Sequence, residues 1–121
     1  MMTLRQNCRR VILHFEVKYM QITGSCRDGV LTLRFSGELD HHAAHSAIRA
    51  IQERIDAFLP ARCVLDLSGL TFMDSSGIAL LLRADRLLRE LDGSLTVTGL
   101  PEQPGRVLRA SGMAKRLNIS D

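Results

Sequence analysis

The chain has 121 residues, a net charge of +3 and a mean hydropathy of +0.03, values typical of one globular domain with its own core. It contains no Trp, one Tyr and four Phe, so we do not expect the aromatic platforms on which single-stranded nucleic acids stack. The charge excess lies in residues 1–19, and the remainder carries equal numbers of basic and acidic side chains, which argues against a DNA-binding face.

The cysteines and the apolar runs bear on the cellular compartment. Cys8, Cys26 and Cys63 are odd in number and have no C-x-x-C spacing, so they predict neither a disulfide framework nor a zinc site. His14 and Glu16 interrupt the apolar residues near the N-terminus, and no run approaches the ~20 apolar residues of a membrane span. The sequence therefore predicts a cytoplasmic protein that does not bind membranes.

Residues 1–19 form a basic N-terminal extension, which we expect to be either a disordered arm or a start-site artefact. The predicted domain spans residues 20–121. Extended runs at 20–23 and 30–35 flank the dipeptide Asp28-Gly29, which is typical of a β-hairpin turn. Apolar and polar residues alternate in the second run, so we expect a sheet that is buried on one face.

An amphipathic helix follows this hairpin. Asp40 is a good N-cap residue, and apolar residues recur at helical spacing until Pro60 ends the pattern. Residues 63–67 are mostly apolar and predict a short central strand, covered on both faces. Residues 68–73 predict a turn and a short extended piece.

Four elements complete the predicted chain: a helix to about residue 91 that starts near Gly77, a strand at 95–98, a helix at 106–111 closed by Gly112, and a last strand at 118–120. Pro101 and Pro104 predict a loop before the third helix. This order predicts an α/β fold: a mixed β-sheet of four to five strands with helices packed mainly on one face.

The second predicted helix carries Arg83, Arg86 and Arg89 at a spacing of three residues. This spacing places a cationic stripe along one side of the helix. Such a stripe usually covers a face that is exposed to solvent, and we interpret it so.

The segment from Asp74 through Ser75 and Ser76 to Gly77 lies where a predicted strand meets an apolar helix. One interpretation is that the serines cap the helix, which contributes ~1 kcal/mol. One cap needs a single hydroxyl, however. The second serine, the acid and the small glycine leave a helix start that a kinase can reach and another protein can approach closely.

The residues support catalysis or metal binding only weakly. His41 and His45 share a helix face at a spacing that can hold a metal, but no further ligand cluster follows, so a solvated first turn is favoured. The serines do not sit in G-x-S-x-G, no histidine follows them, and no phosphate-binding glycine loop is present. The sequence predicts no enzyme, no cofactor and no metal.

Two blocks of sequence, residues 37–43 and 72–78, together strongly resemble the anti-anti-sigma factors of the STAS domain family. Residues 66–67 and 106–113 extend the resemblance to about 20–119. It implies a small mixed sheet packed on helices. It also implies a binding protein that, when unphosphorylated, binds an anti-sigma factor with serine kinase activity and so frees a sigma factor. Phosphorylation by that kinase releases the protein, and a serine phosphatase resets it.

The resemblance also implies roles for individual residues. Ser75 is the phosphate acceptor, and Asp74, Ser76 and Gly77 form the contact surface with Asp40 nearby. An alternative stays open, in which a STAS-like module binds a nucleotide or another small anion at the same helix N-terminus. The resemblance has no counterpart for residues 1–19 and implies a further helix beyond residue 121.

Overall fold

The computed structural model describes residues 11–17 and 19–120. They form a six-stranded sheet, three α-helices and one 3₁₀ turn. In chain order the elements are β1 (Val11–Val17), β2 (Met20–Arg27), β3 (Val30–Leu39), α1 (His41–Phe58), β4 (Arg62–Met73), α2 (Ser75–Glu90), β5 (Ser94–Thr98), α3 (Glu102–Ser111), the 3₁₀ turn (Ala114–Arg116) and β6 (Ile119–Ser120).

The strands lie side by side in sequence order, from β1 to β6. The first three are antiparallel, and β3 to β6 are parallel. The β2–β3 turn is the predicted hairpin, since Asp28 and Gly29 both have positive φ (52° and 80°), as a tight two-residue loop requires. Helices α1, α2 and α3 each connect one parallel strand to the next, and each connection moves one strand further towards β6. Because such connections are right-handed, all three helices lie on the same face of the sheet. The fold class is confirmed, with six strands instead of four to five.

Strand β1 was not predicted. It pairs antiparallel with β2 from Val11↔Cys26 to Val17↔Met20, so residues 11–17 belong to the sheet and are not a disordered arm. His14 and Glu16 interrupt its apolar pattern, and both are exposed. An edge strand tolerates such polar side chains, which is why the pattern was misleading. Residues 1–10 lie outside the described residues.

Two other elements are longer than predicted. Strand β4 continues to Met73 instead of ending at residue 67, and one extra β4 residue shifts its register between the pairs Arg34↔Asp66 and Ser36↔Gly69. Helix α3 begins at Glu102, so Pro104 lies in its first turn and not in a loop. Proline is tolerated there because the first N–H groups of a helix have no internal partner.

The core lies between the sheet and the helices. Its largest fully buried side chains include Phe35, Leu31, Leu33, Leu39, Ile51, Ile55, Leu65, Leu67, Met73, Leu81 and Leu88. Cys63 is also buried there, and burial raises its pKa to about 12. Cys26 is disulfide-bonded, contrary to the expectation from the cysteine count. Among the described residues, no helix has both the length and the apolar character needed to cross a membrane.

Within the described residues, the other face of the sheet carries no helix, and polar side chains lie on it. Arg34 and Asp66 lie there on neighbouring strands, with Nε 3.6 Å from Oδ2. The Ser68 N–H donates a 3.0 Å hydrogen bond to Asp66 Oδ1. Hydrogen bonds from Ser68, and secondarily the Arg34 charge, lower the pKa of Asp66. The Asp66 carboxylate is therefore held on this face by a hydrogen bond and an ion pair while it stays partly exposed to solvent.

Candidate functional site

Two aspartates cap two helices side by side at one edge of the sheet. Strands β3 and β4 are parallel neighbours whose last residues pair, so the helices that follow them begin next to each other. Asp40 caps α1 by accepting a 2.9 Å hydrogen bond from the Ala43 N–H. Asp74 caps α2 by accepting a 2.8 Å hydrogen bond from the Ser76 N–H. Both carboxylates stabilise a helix start, where the dipole favours negative charge.

The serines are not the cap of α2. Because Asp74 has that role, Ser75 and Ser76 are the first two residues of the helix, and the capping interpretation of their hydroxyls is wrong. Ser75 is exposed, and its hydroxyl has no hydrogen-bond partner among the described residues. Ser76 is half-buried, and its Oγ lies 3.4 Å from Nδ1 of His41. Of the two hydroxyls, that of Ser75 is the one presented to solvent.

Gly77 is buried, so it does not offer the exposed contact surface that the sequence suggested. A Cβ added there would lie 2.3 Å from Met73 Cγ and 3.1 Å from Leu39 Cδ2. The first distance is shorter than any normal contact between carbon atoms, and the second is tighter than most of them. The missing side chain therefore lets α2 pack closely on the ends of β3 and β4.

Gln103 of α3 fixes the end of β4, a role that the sequence did not suggest. Its Nε2 donates to the Met73 carbonyl at 3.0 Å, and its Oε1 accepts from the Met73 N–H at 2.9 Å. The side chain thus pairs with the last residue of β4 as an additional strand would. The backbone just before Asp74 and Ser75 is held from both sides. No local pattern reveals this, because the two residues are 30 positions apart.

Two exposed aromatic side chains lie at the same end of the sheet. Phe72 is 39% exposed and pairs with Glu38, and Tyr19 is 65% exposed and accepts a backbone hydrogen bond from the Glu38 N–H. Among the described residues these are the large hydrophobic side chains left exposed. Exposed aromatics near the centre of a patch are frequent anchors of protein–protein interfaces.

The described residues bring together only part of the groups that a catalytic triad or a metal site needs. His41 and Ser76 resemble the first two members of a catalytic triad, but no carboxylate among the described residues bonds to His41 and orients it. Within the described ranges, no group of three or more His, Cys, Asp and Glu side chains could hold a metal ion. What the site presents is an exposed hydroxyl next to the two capping carboxylates, with two exposed aromatic side chains at the same end of the sheet.

Comparisons with known proteins agree with this architecture. The sequence profile of the STAS domain matches residues 21–121. The anti-sigma F factor antagonist of Paenibacillus polymyxa is 35% identical over 102 residues, which cover 84% of this chain and 87% of that protein.

Two solved structures share the fold. The anti-sigma factor antagonist SpoIIAA in its unphosphorylated form has a TM-score of 0.67 at 23% identity, covering 92% of this chain and 89% of that one. The Bacillus cell fate determinant SpoIIAA in the phosphorylated form has a TM-score of 0.60 at 23% identity, covering 92% of both chains. The family indicated by the two sequence blocks is confirmed, and the chain belongs to the STAS domain family.

Proposed function

We propose that this chain is an anti-sigma factor antagonist switched by phosphorylation of Ser75. Unphosphorylated, it binds an anti-sigma factor with serine kinase activity in the cytoplasm and frees a sigma factor. The kinase then phosphorylates Ser75 and releases the protein, and a serine phosphatase restores it. The observation that carries the proposal is the exposed Ser75 hydroxyl at the start of α2, where Asp74 and not a serine caps the helix.

A phosphate on Ser75 is compatible with the fold. The side chain is exposed, so the added group stays in water and no core contact is lost. The positive end of the α2 dipole favours the charge, whereas the neighbouring Asp74 carboxylate disfavours it. Both effects are at most about 1 kcal/mol at an exposed site in salt. We therefore expect the phosphorylated protein to remain folded.

The same phosphate opposes binding of a partner at this surface. It adds a charge of about −1.5 to −2 beside Asp74 and Asp40, and an interface there would have to desolvate it. Leaving a buried charge without a partner costs about 3–5 kcal/mol. Shifting an equilibrium from almost fully bound to almost fully free takes about 5.5 kcal/mol. Charge repulsion and desolvation together are of the right size for a switch.

The geometry favours Ser75 over Ser76 as the acceptor. Ser76 is half-buried between the starts of the two helices, and a phosphate on its Oγ would meet His41 of α1. We assign Asp40, Asp74 and Ser76 to the contact surface around Ser75. Gly77 contributes by setting how closely α2 packs on the sheet.

The proposal is tested by phosphorylation in vitro with the purified anti-sigma factor kinase of the same organism. Intact-mass spectrometry should show one phosphoryl group on the parent protein and on Ser76→Ala, and none on Ser75→Ala. In a pull-down, Ser75→Asp should lose the kinase while its melting temperature stays near that of the parent. Phosphorylation of Ser75→Ala, or full binding by a folded Ser75→Asp variant, would contradict the switch.

The alternative, a nucleotide or small anion bound at the start of α2, is disfavoured by the cap. The Ser76 N–H already donates to the Asp74 carboxylate and the Gly77 N–H to the Asp74 carbonyl, so two donors that an anion would use are occupied. The capping carboxylate also repels an anion. Titration with GTP and with inorganic phosphate should produce no change in the amide resonances of residues 74–77.

A further inference from the structure

A cationic cleft lies at the far end of α2, away from Ser75. Its volume is about 470 Å³, and it is formed where the last turns of α2 meet the 3₁₀ turn. We call it the cationic cleft, and its lining residues are Leu82, Asp85, Arg86, Arg89, Lys115 and Arg116. The arginine stripe noted in the sequence is exposed to solvent, as interpreted there, and two of its members, Arg86 and Arg89, share this cleft with cations from another element.

The charges in this cleft are poorly balanced. Asp85 is the one acid among the lining residues, and it pairs with Arg89 at 2.8 Å. Arg86, Lys115 and Arg116 are exposed and have no ion pair within 4.0 Å among the described residues. Residues 20–121 carry equal numbers of basic and acidic side chains, so general basicity does not account for the cluster.

Helix energetics explain only part of the cleft. Arg89 lies in the last turn of α2, where cations are favourable, and it has an i,i+4 partner in Asp85. Neither effect explains why Lys115 and Arg116 are brought to Arg86 from a separate segment. Clustered like charges repel each other, and a bound anion lowers the energy of this repulsion.

We propose that the cationic cleft is a second docking site, which binds an acidic segment of a partner protein. Half-buried Leu82 adds an apolar contact beside the four cations, which fits carboxylates flanking one aliphatic side chain. A nucleic acid would need a longer cationic track. A membrane surface would need exposed apolar residues nearby, whereas the exposed Tyr19 and Phe72 lie at the sheet end near Asp74.

This site goes beyond the proposed switch and is independent of it. Arg86 lies eleven positions after Ser75 on α2, a rise of about 16 Å at 1.5 Å per residue. The Debye length at physiological salt is about 8 Å, so a phosphate on Ser75 is largely screened from the cleft. An acidic segment docked here stays bound when the Ser75 surface is released, and it can keep a partner near for the next cycle.

The test uses fluorescence anisotropy with the full chain and a labelled ten-residue peptide of glutamates around one central leucine. A peptide with glutamines in place of the glutamates is the matched probe. The parent should bind the acidic peptide, more weakly as NaCl rises from 50 to 300 mM, and should not bind the neutral one. Affinity should fall at least tenfold in the triple variant Arg86→Glu, Lys115→Glu, Arg116→Glu.

The control variant reverses three exposed cations elsewhere: Arg27→Glu, Arg49→Glu and Arg62→Glu. It has the same net charge as the cleft variant and should change affinity less than twofold. Circular dichroism melts establish that both variants are folded. The proposal is overturned if the cleft variant and the control variant lose the same amount of peptide affinity, or if the parent does not bind the acidic peptide. It is also overturned if the parent binds a duplex oligonucleotide or phosphatidylglycerol vesicles more tightly than the peptide. Binding of the peptide should be the same for Ser75→Asp, so failure of the switch leaves this result unaffected.

Discussion

Replacement of Gly77 by alanine has two opposite effects on stability, a gain in helix propensity and a cost from tighter packing. In an ordinary helix Gly→Ala is stabilising by about 1 kcal/mol, since alanine restricts the unfolded chain and favours the helical backbone. Here the new Cβ would lie 2.3 Å from Cγ and 2.8 Å from Sδ of Met73. Met73 is fully buried, so its side chain cannot swing into solvent to make room.

The size of the effect follows from these two opposing terms. Inserting a methylene-sized group into a packed core costs typically 1–3 kcal/mol, and the short distance to Met73 Cγ puts this case near the upper end. Subtracting the gain in helix propensity leaves a net destabilisation of about 1–2 kcal/mol. For a domain of this size, that lowers the melting temperature by roughly 4–10 °C.

Urea unfolding of Gly77→Ala measures this difference, and Gly105→Ala is the matched control. A Cβ at Gly105 of α3 would meet Arg109 Nη1 at 3.1 Å, the mobile end of a long side chain that can move away. Gly105→Ala should therefore be neutral or stabilising by up to about 1 kcal/mol. If Gly77→Ala unfolds at the same urea concentration as the parent or higher, the packing argument is refuted.

Two further predictions concern the acids. Asp74→Ala removes the cap of α2 and should lower the free energy of unfolding by about 1 kcal/mol, whereas Asp74→Asn keeps the acceptor for Ser76 N–H and should retain most of it, as urea unfolding can check. Asp66 has a lowered folded-state pKa, so its contribution is full above the unfolded pKa of about 3.9 and is lost as pH falls through the lower folded value. Asp66→Asn should thus be destabilising at pH 7 and progressively less so below about pH 4; an equal deficit at pH 7 and pH 2.5 would argue against the assigned role of the charge.

Local signals in the sequence predicted the elements that local chemistry determines. The turn at Asp28-Gly29 and the Asp40 cap depend on residues within four positions of each other, and both are found as expected. Helix α2 shows why such signals can be insufficient. Aspartate and serine are nearly equal as N-cap residues, so Asp74, Ser75 and Ser76 were all acceptable. The pairing of β4 with β3 ends at Met73, and this register selects Asp74 as the cap.

Features that depend on residues distant in sequence were missed. Strand β1 is recognisable through its pairing with β2, and Gln103 acquires its role by reaching Met73 across the fold. The cationic cleft likewise requires the 3₁₀ turn to fold back onto α2. In each case the residue types are common ones, and the structural role arises from a tertiary contact between segments that are far apart in sequence. Periodicity and spacing within a segment carry no information about such tertiary contacts.

The parallel register of β3 and β4 links stability to the proposed switch. It places Asp40 and Asp74 at the same sheet edge, where each is needed to cap its own helix. Removing either side-chain acceptor weakens a helix, and under the proposed switch a phosphate on Ser75 would lie beside both negative charges. The groups that make phosphorylation unfavourable to a bound partner are therefore the groups that hold the two helices in place. Because a neutral Asn at either position would keep the cap without the charge, an Asp→Asn change separates the capping role of these residues from their electrostatic role in the proposed switch.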